Sequence, residues 1–288
     1  MSFGIALAGG GIRGAAHVGV LMALEESGMK PSSVAGTSAG GIIAGLYASG
    51  TSPRRLREIV LEMTKKGVLL ADPDVLGILS IAPGLLKLRP CRCSGLLKGS
   101  LMEKYLDGVT GGREMRALSM RTVIPAVDLR TSQTIAFTNS LFGLQPVADV
   151  KWFTQARVSE AMRATSALPV VFKPKELDGM CLVDGGVADV LPVDLLVAAG
   201  EPNVLAVDVS ANYKMPEHVD LLSVGSHSLG IMGTRLRQCM THGEEFLLNP
   251  SLPDTNGVLN LSQMEECMEA GYASAKKAMP IIRRVFTP

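Results

Sequence analysis

Apolar residues in this chain fall into two kinds of run. Short, nearly unbroken ones (Phe3 to Ala8, Met180 to Val183, Val204 to Val209) leave no position to turn toward water. They predict parallel strands buried on both faces. Val34-Ala35-Gly36 is a shorter run of this kind, and it turns at Ser38 into a helix continuing to Ser49. Thr122 to Asp128 and Thr134 to Phe137 read as two strands joined by a turn. The longer runs are spaced for helices. Ala15 to Ser27 carries Val18, Leu21, Met22 and Leu24 at helical intervals and is stopped by Gly28. Ser52 as N-cap with Pro53 at the first helical position opens an amphipathic helix to about Lys66. Further helices are expected over Leu96 to Leu106, Thr154 to Ala164, Leu191 to Ala199, Asp220 to Leu248 and Gln263 to Val285.

Leu69 to Leu106 is less regular. Its apolar patches (Val75, Leu76, Ile78, Leu79, Leu85, Leu86, Leu88) are cut by Pro73, Pro83 and Pro90, which predicts short helices forming a cap over the site. No repeat, low-complexity tract or polar linker breaks the chain. We therefore expect one domain over residues 1–288, with a motif-bearing core at about 4–209 and a helical part at about 219–288.

Composition narrows the picture. The 288 residues are 47% hydrophobic but only 4% aromatic, so the core must pack on Val, Leu, Ala, Met and Gly. The net charge of +1 gives no electrostatic case for nucleic acid as partner. Basic clusters at Arg54, Arg55, Arg57 and at Lys65, Lys66 read as solvated helix faces. Five scattered cysteines, with no second pair at zinc spacing after Cys91-Arg92-Cys93, imply free thiols in a reducing compartment and no metal site. The N-terminus has no basic segment ahead of its apolar residues, and no window is long and apolar enough to span a bilayer. A cytoplasmic protein is expected, with peripheral membrane contact left open.

The candidate chemistry centres on Gly36-Thr37-Ser38-Ala39-Gly40, a G-x-S-x-G elbow. A serine at the apex of so sharp a strand-to-helix turn needs small neighbours, because strand and helix nearly touch there. Gly36 and Gly40 meet that need, and the hydroxyl then projects at a helix N-terminus, where negative charge is favoured.

One strand earlier lies Gly9-Gly10-Gly11-Ile12-Arg13-Gly14, a strand–loop–helix cradle whose successive N–H groups suit an anion. Two readings fit it. A dinucleotide pyrophosphate would call for an acidic residue at the end of the next strand, where this chain has Gly36 and the elbow instead. An oxyanion hole for a tetrahedral intermediate fits the nearby serine.

Serine needs a proton acceptor. Of the four histidines, His17 lies on the helix after the glycine loop. His218, His227 and His242 lie in or near the late long helix, none of these three flanked by turn residues as a catalytic-loop histidine usually is. Asp184 ends an apolar strand and is followed by Gly185 and Gly186, so the backbone can turn hard and present its carboxylate. A free Asp is a weak base, but burial against apolar walls would strengthen it.

These three blocks, in this order and spacing, resemble the patatin-like phospholipase family. Val127-Asp128-Leu129 and Ser166-Ala167-Leu168-Pro169 match as well, so the likeness covers roughly Gly4 to Val209. The resemblance implies a three-layer α/β/α fold with a mostly parallel sheet and a helical cap, related to cytosolic phospholipase A2 and acyl-carrier transacylases. It also implies a Ser–Asp dyad without histidine. Ser38 would be the nucleophile and Asp184 the base. Gly9, Gly10, Gly11 and Gly14 would form the oxyanion loop, steadied by Arg13. No cofactor would be needed, and the substrate would be a lipid or other acyl ester. The chain departs from common members at Ala8 and Asp189, neither of which removes a catalytic group. A Ser–His–Asp acyltransferase and a regulatory or adaptor protein retaining the fold are the alternatives.

Overall fold

The computed structural model describes residues 2–70, 72–81, 90, 93–209, 221–239, 243–254 and 261–287. Pro83, Leu85, Leu86, Leu88, Cys91, His218 and His242 lie outside them. The described strands form one sheet around β1 (Gly4–Leu7), β2 (Ser33–Gly36), β3 (Arg121–Asp128) and β8 (Val204–Val207). Every residue of β1, β2 and β8 is buried, as the apolar character of β1 and β8 requires. These four strands are parallel, in the order β3-β2-β1-β8. On one flank β4 (Thr134–Thr138) runs antiparallel to β3 and carries β5 (Val150–Phe153) parallel to itself. On the other flank β9 (Phe246–Leu248) pairs with β8.

Helices cover both faces. α1 (Ala16–Glu26), α2 (Ala39–Ala48), α3 (Pro53–Leu70), α5 (Ser100–Thr110) and α6 (Val158–Thr165) pack in a connected layer, with the long α9 (Met264–Phe286) laid along α1. α7 (Val193–Ala198) crosses β1, β2, β3 and β8 on its way to β8. The short α4 (Val75–Leu79) leaves Val75, Leu76 and Leu79 exposed. The core is built from Val, Leu, Ile, Ala and Met, with Phe137 its largest fully buried aromatic. Cys93, Cys181, Cys239 and Cys267 form no disulfide.

β3 is the strand that positions the site. β2 pairs with its first residues, Arg121 to Val123, and β7 (Met180–Asp184) pairs antiparallel with its last, Ala126 to Asp128. β4 occupies the opposite edge along Val123 to Val127. β2 and β7 therefore share one edge of β3, head to head, and their C-terminal ends face each other across the level of Ile124 and Pro125. β6 (Lys175–Leu177) closes the β7 hairpin.

Two expectations need correction. The helix expected to Leu248 is α8 (Leu221–Cys239), and Phe246 to Leu248 form an edge strand instead, because the exposed ladder of β8 takes them up. The helix expected from Leu96 begins at Ser100, after Gly99 adopts the left-handed conformation. The described helix over the site is α8, and residues 71, 82–89, 91 and 92 of the stretch expected as a cap lie outside the described residues.

Candidate active site

Ser38 leaves β2 with φ 54° and ψ −122°, a strained conformation for a non-glycine residue, and is the N-cap of α2. The crowding foreseen around it is real. A Cβ on Gly36 would run into the Gly40 carbonyl, and one on Gly40 into the carbonyls of Leu7 and Ala8. Strand and helix can touch here only because both positions are glycine.

Asp184, at the end of β7, meets the serine across the gap above β3. Ser38 Oγ donates to Asp184 Oδ2 at 2.7 Å, and the Gly186 N–H donates to Oδ1 at 2.8 Å. Gly185 follows in a 3-10 turn where a Cβ would strike the Pro125 carbonyl, so the tight approach of β7 to β3 depends on it. Asp184 is 2% exposed. Burial pushes its carboxyl up to about 6 despite the two hydrogen bonds, which pull the other way. Desolvation wins, and the group becomes a stronger base than a free carboxylate.

The glycine loop packs beside this pair. Gly9 donates its N–H to Val190 O and lies against the Ser38 side chain. Among the described residues no protein acceptor takes the N–H of Gly10 or Gly11. Arg13 donates from Nε to Val209 O at 2.9 Å, tying the 3-10 turn Gly11–Ala15 to the end of β8, and Gly14 lets that turn press on Ala39. Of the two departures, Ala8 accepts a hydrogen bond from His17 Nε2 at 2.8 Å. Asp189 accepts the Leu191 N–H on Oδ1 and the Thr37 hydroxyl on its carbonyl. Both stay structural.

His17 is fully buried and its pKa falls to about 4 because burial disfavours the cation, so it is a neutral donor within the loop's support. His227 lies on α8. Among the described residues no histidine nitrogen is hydrogen-bonded to Ser38 Oγ, and no group of His, Cys, Asp and Glu is placed to hold a metal.

A cavity of about 340 Å³ opens onto Ser38, Asp184 and the glycine loop. Its far wall is α8, through Leu229, Met232 and Leu236, with Leu168 and Val187 closing the sides. Packing and ion pairs hold α8 there. Gly233 sits against Val190, and Arg237 reaches Asp208 at 3.6 Å and Glu244 at 3.4 Å. The α8 residues carry no motif, and only their helical spacing showed in the sequence. Thr165 was also missed: its Oγ1 accepts the Ser38 N–H at 2.9 Å. The one available signal was its position just before the Ser166-Ala167-Leu168-Pro169 stretch.

Known proteins resemble this chain in sequence and in fold. An uncharacterized NTE family protein of Mycobacterium tuberculosis is 29% identical over 219 residues, covering 74% of this chain and 50% of its own length. Patatin-like phospholipase domain-containing protein 6 of Homo sapiens is 28% identical over 226 residues, covering 78% of this chain and 14% of that one. The chain thus spans half or less of these curated relatives. The crystal structure of VipD from Legionella pneumophila superposes with a TM-score of 0.52 at 13% identity, over 97% of this chain and 67% of that one, and shares the fold. Among the described residues no helix is long and apolar enough to cross a membrane. The model of the patatin-like phospholipase family matches residues 5–197, well over half the chain, and the chain belongs to that family.

Proposed function

We propose that this protein hydrolyses acyl esters of lipids, with Ser38 as nucleophile and Asp184 as the base that takes its proton. One observation carries the reading: a strained, half-buried serine donates at 2.7 Å to a buried carboxylate of raised pKa, inside an apolar cavity. In the first step Ser38 Oγ bonds to the ester carbonyl carbon while its proton passes to Asp184 Oδ2. The carbonyl electron pair moves onto oxygen, where the N–H groups of Gly10 and Gly11 receive it. Collapse of this intermediate expels the alcohol, which takes the proton from Asp184. Water then attacks the acyl-serine with Asp184 again as base, and the fatty acid leaves. The apolar wall of Leu229, Met232 and Leu236 suits an alkyl chain. Exposed Met232 and Val187, beside the same opening, suit contact with a lipid surface.

A fluorophosphonate probe tests the reading, since it reacts only with an activated hydroxyl. The parent protein is expected to be labelled. The Ser38→Ala variant is expected to take no label and to lose about a thousandfold or more in p-nitrophenyl ester hydrolysis. Equal labelling of the two proteins would place the reactive group elsewhere.

The pH dependence has a definite sign. Asp184 acts as base only when ionised, and its pKa lies near 6 rather than near 3.8. kcat/KM is therefore expected to climb about tenfold per pH unit below 6 and to level off above it. A rate profile from about pH 4.5 to 8 on a neutral ester checks this. A profile still flat at the acid end would remove Asp184 from the role.

A further inference from the structure

Ser38 and Asp184 stand 146 residues apart on strands that do not pair with each other. Each strand is registered on β3, but no backbone ladder joins the two directly. The turn that ends α6 touches the backbone of both. Thr165 Oγ1 accepts the Ser38 N–H at 2.9 Å, and the Ala167 carbonyl accepts the Asp184 N–H at 3.0 Å. That turn is itself braced. The Ser166 hydroxyl donates back to Met162 O at 2.8 Å. The buried guanidinium of Arg163 donates from Nη2 to the carbonyls of Lys98 at 2.7 Å and Lys173 at 2.6 Å, and lies over the Phe172 ring.

Thr165 is fully buried, so the Ser38 N–H would face no water if the hydroxyl were gone. Its methyl group packs toward Gly41, the third residue of α2, where an added Cβ would come within 2.6 Å of it. A residue at positive φ keeps that conformation only while its surroundings hold it. The Thr165 hydroxyl is the side-chain group that holds the backbone of this one.

We propose that Thr165 is a positioning residue for the nucleophile. By accepting the Ser38 N–H it keeps the elbow at the rotation that leaves Oγ on Asp184 and beside the glycine loop. This role rests on the acyl-hydrolase reading above and names the group that keeps its serine in register. Thr165 itself touches no reacting atom.

Three variants separate acceptor from shape. Thr165→Val keeps the methyl and removes the acceptor, Thr165→Ser keeps the acceptor and removes the methyl, and Thr165→Ala removes both. The readouts are kcat and KM on a p-nitrophenyl acyl ester, the rate of fluorophosphonate labelling at Ser38, and the melting temperature. Rates are measured well below each melt. The Val and Ala proteins are expected to lose about ten- to hundredfold in kcat and in labelling rate, with KM within about twofold. The Ser protein is expected to stay within about threefold of the parent. If the Val protein (or, should it not fold, the Ala protein) matches the Ser protein in kcat, the acceptor does not position the serine and the proposal falls. A loss confined to melting temperature or to KM overturns it equally. A parent protein that neither hydrolyses the ester nor takes the probe overturns the acyl-hydrolase reading, and the positioning role with it.

Discussion

Replacing Asp184 with Asn is expected to lower kcat by about 10²- to 10⁴-fold and, at pH 8, to raise the melting temperature. Both effects come from the same burial. The carboxyl is 2% exposed, and its pKa stands near 6 in the folded chain against 3.8 for a free aspartate. A raised carboxyl pKa means that the folded state binds the proton more tightly than the unfolded state. This group's contribution to stability is therefore greatest below about pH 4 and is lost as pH rises through 6. At about 1.4 kcal/mol per pKa unit, keeping it ionised costs on the order of 3 kcal/mol at pH 8. Asn carries no charge to desolvate. Its amide can still accept from Gly186 N–H and donate to Ser38 Oγ, in place of the two bonds Asp184 makes. The Asn protein should thus melt several degrees higher at pH 8, with the gap closing toward pH 4. It has no base for the serine proton. Melting curves at the two pH values and ester hydrolysis at pH 8 measure both halves. Near-parental turnover would show that another group takes the proton. An unchanged or lower melt at pH 8 would show that the charge is not the costly part.

The same opposition of stability and chemistry recurs through the site. Ser38 holds a strained backbone angle, Asp184 a buried charge, and the glycine loop a pair of N–H groups without protein acceptors among the described residues. A sequence selected only for folding would remove all three. These violations were also the most legible features in the chain. Tight turns demand glycine at fixed spacing, so Gly36, Gly40, Gly185 and the loop from Gly9 announced where backbone would approach backbone. Strands buried on both faces announced themselves for a related reason, since β1, β7 and β8 are nearly free of polar residues.

What escaped was whatever depends on the partner rather than on the residue. Val150 to Phe153 and Lys175 to Leu177 are short strands at the sheet margins, partly exposed, whose mixed side chains carry no period. Phe246 to Leu248 read equally well as the end of a helix until β8 supplied an unpaired edge. The long helix now named α8 was visible as a helix. That its Leu229, Met232 and Leu236 would face the serine, while the apolar patch on α4 faces solvent, is decided by packing and leaves no trace in spacing. Thr165 is the sharpest case. A threonine at a helix end is ordinary, and only the strand geometry shows that the Ser38 amide has come within its reach.

Gly40→Ala is expected to be a severely damaging single-methyl change at the site. The added Cβ would sit between the carbonyl groups of Leu7 and Ala8, both backbone, so no side chain can swing aside to make room. Relief requires moving the N-terminus of α2 away from β1. That movement would lift the elbow from its hydrogen bond to Asp184. The alternative is to push β1 out of register with β2 and β8. Overpacking of this kind costs about 3 kcal/mol or more, and Ala8 leads directly into the glycine loop, so the loop would shift as well. The variant is expected to melt more than about 6 °C below the parent or to aggregate. Its folded fraction should take no fluorophosphonate label. Gly108→Ala provides the contrast. Gly108 lies on the exposed face of α5 with nothing within 4 Å of an added Cβ, so alanine there should stabilise the helix by about 0.5–1 kcal/mol and leave labelling unchanged. Comparing the two variants by thermal melt and probe labelling separates a methyl group that only stiffens a helix from one that prises strand and helix apart. A Gly40→Ala protein that melts and labels like the parent would mean that the elbow tolerates a separation these contacts do not allow.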